Sequence, residues 1–376
     1  MMSPSASPLP QQNKTHHKKS DQKLVICLLA PTASGKTALA YELYDTRRFE
    51  IISIDSALIY RDMNIGTAKP TSDELARYPH YMVDIVDPHD TFSVAQFVEQ
   101  VAELIETIHA RGKIPLLVGG TMMYFNAMFT GLSPVPATHP DIRTEVEVWR
   151  NQVGLEALYE HLQVIDPPLG ASLKPNDTQR ITRAIEVYRQ TGKPLSDWQA
   201  LPMHAIADNP SQKWLGLAIM PKRAWLHERI AKRLEMMWDE GFVDEVMHIL
   251  ESYPVKPDDP AMRCVGYRQV VKYLRLLEQC DLTESEKIDA QIEMQNKALY
   301  ATRQLAKRQY TWLRNLTATH GIRFGLATHP LAVPFIQSHP SYNPHRFEQK
   351  MSKVILAFES MTQADAYLQG LLSNYI

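Results

Sequence analysis

Residues 30–37 read Ala30-Pro31-Thr32-Ala33-Ser34-Gly35-Lys36-Thr37, which matches the phosphate-loop pattern G-x-x-x-x-G-K-[ST] at every position but the first. Backbone N–H groups of such a loop wrap phosphate oxygens, and the positive end of the following helix adds to them. Lys36 neutralises the outer phosphates, and the Thr37 hydroxyl is placed to hold Mg²⁺. Ala30 stands where the pattern has glycine, and ordinary β-region dihedrals accommodate its Cβ. A loop of this kind specifies a polyphosphate ligand. A kinase, a nucleoside triphosphatase and a transferase that expels diphosphate all remain open.

A second candidate is Asp55, which follows the apolar run EIISI at 50–54. A carboxylate at the C-terminal edge of a parallel strand faces the ligand crevice. There it can hold a cation through water, take a proton from a nucleophile, or simply close a turn. A third is the segment 301–314, ATRQLAKRQYTWLR. It carries Arg303, Lys307, Arg308 and Arg314 without an acidic residue, with Tyr300, Tyr310 and Trp312 interleaved. That pattern suits backbone binding and base stacking on single-stranded nucleic acid. It equally describes a solvated helix face above core aromatics. Arg180 and Arg183 share one helix face by their spacing.

These groups need a frame. LVICLLA at 24–30 is a short continuous apolar run, as for a strand covered on both faces, and it leads into the phosphate loop and a helical ALAYELY. EIISI and IPLLVGG (114–120) are further buried-type strands, and WLGLAIM (214–220) returns to strand character. Between them, residues 93–110 place apolar side chains at helical spacing. The alternation predicts an α/β fold: a P-loop NTPase-like parallel sheet with right-handed crossovers and a mainly helical insertion. The expected organisation is a disordered extension at 1–22, a core at 23–137 and 211–326, the insertion at 138–210, and a C-terminal extension at 327–376. The last of these ends in an amphipathic helix, KVILAFESMTQADAYLQGLL, with no role assigned.

Composition narrows the partners. The chain has 376 residues, 44% hydrophobic and 22% charged, with 40 basic against 42 acidic side chains. A net charge of −2 excludes a uniformly basic nucleic-acid coat, so any nucleic-acid surface is a local patch. Cys27, Cys264 and Cys280 form no CxxC pair, which argues against a disulfide scaffold or structural zinc. No apolar stretch reaches the ~20 residues of a spanning helix. The polar N-terminus has no apolar signal region. A cytoplasmic protein without a membrane partner is expected.

Taken in order, APTASGKT, DSALIYRDMNIGTAKP and LVGGTMMYFNA resemble the bacterial tRNA dimethylallyltransferases, the IPP transferase family. The resemblance continues through SLKPNDTQRITRAIEVY, MPKRAWLHERIAKRLEMMWDEGFVDEV, RCVGYRQ and QLAKRQYTWLR, covering about residues 24–316. It implies transfer of a dimethylallyl group from dimethylallyl diphosphate to N6 of the adenosine 3′ of the anticodon, in tRNAs reading codons that begin with U. It further implies that Mg²⁺ is required and that the phosphate loop 30–37 holds the diphosphate of the donor. Asp55, Thr32 and Arg223 are the implied catalytic set, Asp55 taking the amine proton and Arg223 meeting the diphosphate.

The resemblance also implies the tRNA contacts. They are Asp55, Ser56, Ala57 and Leu58; Thr121; Arg143; Gln179, Arg180, Ile181, Thr182 and Arg183; Arg263, Cys264, Val265, Gly266, Tyr267 and Arg268; and Lys307, Arg308, Gln309, Tyr310, Thr311, Trp312, Leu313 and Arg314. The target base would leave the anticodon loop stack to react, with the insertion cradling the stem-loop of a monomeric enzyme. The rival readings are a small-molecule kinase, a dimethylallyltransferase acting on free adenylate, and a non-enzymatic RNA-binding protein with a degenerate phosphate loop, for which Ala30 argues and against which Lys36, Thr37 and Asp55 count.

Overall fold

The computed structural model describes residues 23–320 and 353–375; the remaining segments, including the extension 1–22 read as disordered, lie outside the described residues. The chain runs β1 (Lys23–Leu29), α1 (Lys36–Asp45), β2 (Phe49–Ile54), α2 (Ser72–Arg77), β3 (His80–Tyr81), α3 (Val94–Ala110), β4 (Ile114–Gly119) and α4 (Met122–Thr130). It continues with α5 (Pro140–Ile165), α6 (Pro167–Ser172), α7 (Thr178–Thr191), α8 (Leu195–Gln199), β5 (Gln212–Ile219), α9 (Arg223–Asp239), α10 (Phe242–Ser252), α11 (Tyr267–Gln279) and α12 (Glu284–His320). It closes with β6 (Lys353–Phe358) and α13 (Met361–Tyr375).

The six strands form one parallel sheet in the order β3-β2-β4-β1-β5-β6. Strand side chains alternate between two cores, as the pleat requires. Val25, Cys27, Leu29, Ile52, Ile54 and Leu117 pack on one face with α3, α4 and α9–α12. Ile26, Leu28, Ile51, Leu116 and Leu217 pack on the other with α1 and α13. Both faces are covered, which explains why the strands read as continuous apolar runs. A third, separate core holds Val146, Leu158, Leu162, Leu173, Ile181 and Ile185 within α5–α7, inside the stretch read as an insertion.

The C-terminal stretch departs from expectation. Residues 353–358 form strand β6, paired in parallel register with β5, and the helix starts only at Met361. Val354 and Leu356 enter one core and Ile355 the other, so the run obeys period two, not 3.6. Five consecutive apolar residues fit both periods, and the free edge of β5 selected the strand. The extension thus completes the sheet, and Lys353 pairs with Asp208 at 2.7 Å. Among the described residues, no helix is long and apolar enough to cross a membrane.

Candidate active site

The loops after β1, β2 and β4, which are neighbouring strands, converge at their carboxyl ends. The first is the phosphate loop. Its left-handed positions are Ala33 (φ 60°) and Gly35 (φ 91°), and Gly35 caps α1. Only glycine takes Gly35's conformation without strain. Ala30 lies outside the left-handed region; it is buried in the α1-side core and donates its N–H to Gly119 O at 3.3 Å. A Cβ at that position is therefore accommodated.

Polar groups are aimed at this loop without being consumed by it. The Ser34 hydroxyl is buried and has no hydrogen-bond partner, an arrangement that a phosphate oxygen would satisfy. Burial pulls the Lys36 ammonium down to about 8, with Asp55 drawing it back up and Arg233 pushing it further down. Thr37, in the first turn of α1, is exposed at the same end. A hydroxyl beside a diphosphate and a nearby carboxylate is the oxygen donor set that suits a hard divalent cation, so the residues present fit Mg²⁺.

Two arginines that sequence reasoning passed over reach the loop from α9. Arg229 Nε donates to Ala33 O at 2.8 Å. Arg233 Nη1 donates to Thr32 Oγ1 at 3.3 Å and Nη2 to Thr67 O at 3.5 Å. Burial lowers the Arg233 pKa, and the Asp55 charge opposes this. The i, i+4 spacing of the pair on a helix following a strand was the available signal. Arg223, the residue expected at the diphosphate, opens α9 and stacks 5.7 Å over the Tyr310 ring.

Asp55 ends β2 half-buried, its Oδ1 accepting the Ala57 N–H at 2.9 Å. The second carboxylate oxygen takes no part in that bond. Thr121 sits opposite, where its Oγ1 accepts the Ser56 N–H at 3.0 Å and donates to Ser56 Oγ at 3.2 Å. Cys264 is drawn in from the loop before α11: burial first, then the Asp55 charge, push its thiol up to about 12. Burial raises the phenols of Tyr60 and Tyr124, with Cys264 adding to both and Asp55 to Tyr124. An acidic group thus meets an apolar, aromatic wall beside a cationic loop.

The segment after Asp55 is bolted from outside. Glu245 on α10 accepts the N–H groups of Asn64, Ile65 and Gly66 at 2.9, 2.5 and 3.1 Å, and the Tyr267 hydroxyl at 2.5 Å. A Cβ on Gly66 would stand 2.0 Å from the Phe242 ring, so the close approach needs glycine. Lys69 donates to Tyr60 O at 2.7 Å and pairs with Asp84, so it serves the loop's shape. Glu245→Ala is expected to lower stability by about 2–3 kcal/mol, because three amide donors and a buried phenol lose a charged acceptor. Denaturant titration checks this; an unchanged midpoint would show that water substitutes for the carboxylate.

The remaining expected tRNA residues divide by helix face. Ile181, Gly266, Tyr267, Gln309, Tyr310 and Leu313 are buried, so the side chains of these residues are withdrawn from any surface on which RNA could lie. On α12 the 3.6-residue period turns Ala306, Gln309, Tyr310, Leu313 and Leu316 inward. Lys307, Arg308, Thr311, Trp312 and Arg314 are exposed, as are Arg143, Gln179, Arg180, Arg263, Arg268 and Ser56. Ala57, Leu58, Thr182, Cys264 and Val265 are partly exposed. Arg183 is turned to the connector, bonding Thr138 and, at 3.0 Å, Pro136 O.

Comparison with known proteins identifies relatives of the chain. A protein from Psychrobacter sp. (strain PRwf-1), named tRNA dimethylallyltransferase, is 55% identical over 367 residues, covering 93% of this chain and 96% of that one. The crystal structure of the full-length tRNA isopentenylpyrophosphate transferase from Bacillus halodurans is 28% identical with a TM-score of 0.54, over 94% of this chain and 96% of that one. A structure of a eukaryotic dimethylallyltransferase acting on tRNA shares the fold, with a TM-score of 0.64 at 23% identity over 94% of this chain and 79% of that one. The family profile described as IPP transferase matches residues 58–316, and with these relatives it shows that the chain belongs to the IPP transferase family.

Proposed function

We propose that this chain transfers the dimethylallyl group of dimethylallyl diphosphate to N6 of the adenosine 3′ of the anticodon in tRNAs reading codons that begin with U. The observation that carries the reading is the meeting of Lys36, Arg233 and Asp55 charges in one crevice, with the unpartnered Ser34 hydroxyl in the same loop. The adenine amine is a poor nucleophile, since its lone pair is delocalised into the ring. Transfer therefore leans on the leaving group and on a proton acceptor.

The N6 lone pair forms a bond to C1 of the allyl group as the C1–O bond breaks, and diphosphate departs with that electron pair. Loop N–H groups, Lys36, Ser34 and the α9 arginines meet the developing charge from fixed positions. Asp55 accepts the N6 proton. Thr37 would hold Mg²⁺, which when bound would add charge neutralisation at the leaving group. Thr121, locked to Ser56, orients the base-side rim. No kinase-type transfer of phosphate is needed for any of these roles.

The tRNA would lie across the exposed basic face of α12, with Arg263 and Arg268 beside Asp55's side of the crevice and the α5–α8 subassembly against the stem-loop. Arg308→Ala is expected to weaken stem-loop binding and to reduce the slope of log affinity against log salt by about one, because one phosphate contact is lost. Binding measured across a salt series checks it; an unchanged slope assigns Arg308 to structure.

The direct test incubates the protein with Mg²⁺, dimethylallyl diphosphate and an anticodon stem-loop RNA, with AMP and ATP as competing acceptors. Mass spectrometry should show a five-carbon addition to the RNA alone. Addition to AMP alone would replace the reading with an adenylate-modifying enzyme. Loss of the ATP γ-phosphate to a metabolite, with no five-carbon product, would replace it with a kinase.

A further inference from the structure

One turn of α12 faces two ways. Outward it carries Lys307, Arg308 and Thr311. Inward it carries Gln309, only 7% exposed, whose primary amide is used at both ends. Gln309 Oε1 accepts the Thr32 N–H at 3.0 Å, and Gln309 Nε2 donates to Gly120 O at 2.8 Å. Thr32 belongs to the phosphate loop, and Gly120 immediately precedes Thr121 at the base-side rim. The same side chain therefore spans the two loops between which the leaving group and the nucleophile must be aligned. The next residue, Tyr310, donates its hydroxyl to Pro221 O just before α9, the helix that brings Arg229 and Arg233 to the loop.

Only a carboxamide does both jobs. An amide has one acceptor and donors on the other atom, whereas a carboxylate would face the Gly120 carbonyl with no donor to offer. Space is equally constrained: a Cβ on Gly120 would stand 2.6 Å from Gln309 Nε2 and 3.3 Å from Ala30 O. Gly120 is thus small because the amide passes there. The Thr32 N–H, in turn, is directed to protein and not to phosphate.

We infer that Gln309 is a positioning residue that sets the separation of the phosphate loop from the Gly120–Thr121 loop, and so the alignment of the donor with the target amine. The inference rests on the transferase reading above. It assigns to Gln309 an inward role in place of a contact with RNA. Misplacement of reacting groups by about 1 Å can cost on the order of 10²-fold in rate, without loss of the groups themselves.

Gln309→Met keeps the volume and burial of the side chain and removes both hydrogen bonds. It is expected to lower kcat/KM for dimethylallyl diphosphate by roughly 10- to 100-fold, with stem-loop affinity unchanged. Gly120→Ala should reproduce that loss by displacing the amide. In a Gln309→Ala background it should add much less, since residues sharing one interaction are not additive. Donor kinetics equal to the unmutated protein's, with only a lower melting temperature, would reduce Gln309 to packing. A fall in stem-loop affinity with donor kinetics intact would return it to the RNA surface. If the unmutated protein transfers no dimethylallyl group, the parent reading fails. Calorimetry with inorganic diphosphate then decides the clasp, which falls if Gln309→Met binds it as tightly as the unmutated chain.

Discussion

Replacing Asp55 with asparagine is expected to slow dimethylallyl transfer by about 10²- to 10⁴-fold, the range that general-base catalysis contributes. The change is nearly isosteric. The Asn carbonyl can still accept the Ala57 N–H, so the turn at the end of β2 is retained. Binding of stem-loop RNA and of diphosphate should persist, because neither needs the negative charge. Lys36 and Arg233 would lose the carboxylate that now favours their charged forms, which bound diphosphate replaces. Single-turnover product formation, with binding measured separately, distinguishes the outcomes. Transfer at the normal rate would remove Asp55 from the proton-accepting role. Loss of stem-loop binding instead would make it a recognition residue.

The second large effect concerns Lys36. Lys36→Met should lower kcat/KM for the donor by about 10³-fold, since a half-buried, desolvated cation next to a departing diphosphate acts in a poorly screened environment. Its protonation gives a sharper signature. In the free protein burial lowers the ammonium from 10.5 to about 8. Diphosphate favours the charged form, so binding raises that value again. Below pH about 8 the lysine is already protonated and donor binding exchanges no proton at this site. Above it, binding must take up a proton, and affinity falls with rising pH by up to about tenfold per unit. Calorimetry at pH about 9, in two buffers of different ionisation enthalpy, should show proton uptake by the unmutated chain and none by Lys36→Met. Equal uptake in both would place the titrating group elsewhere.

These two residues were legible from sequence because each sits at a fixed offset from a strand end. The glycine, lysine and threonine of the phosphate loop follow β1 directly, and Asp55 follows β2. Local chain geometry alone carries such groups to the crevice, whatever the rest of the molecule does. The parallel sheet was equally legible, since strands buried on both faces must be apolar throughout. Where both periods fit the same letters, as in residues 353–358, sequence could not choose, and the vacant edge of β5 made the choice.

The functional clusters supplied by distant chain are a different matter. Arg229 and Arg233 meet the loop across about two hundred residues of chain, Glu245 reaches the 64–66 amides, and Gln309 spans Thr32 and Gly120. Each is one polar letter among many on an amphipathic helix. The basic-aromatic run 301–314 shows the same limit within a single helix: its letters suggest one surface, but the helical period sends Gln309, Tyr310 and Leu313 inward and Lys307, Arg308 and Arg314 outward. The sequence by itself determined the parallel α/β frame, the phosphate loop and the acid at the end of the second strand, because those follow from neighbours along the chain. The tertiary structure alone decided which helix faces turn toward that loop and which stay in water, because that depends on how helices pack across the sheet, and packing is set by contacts between residues far apart in sequence.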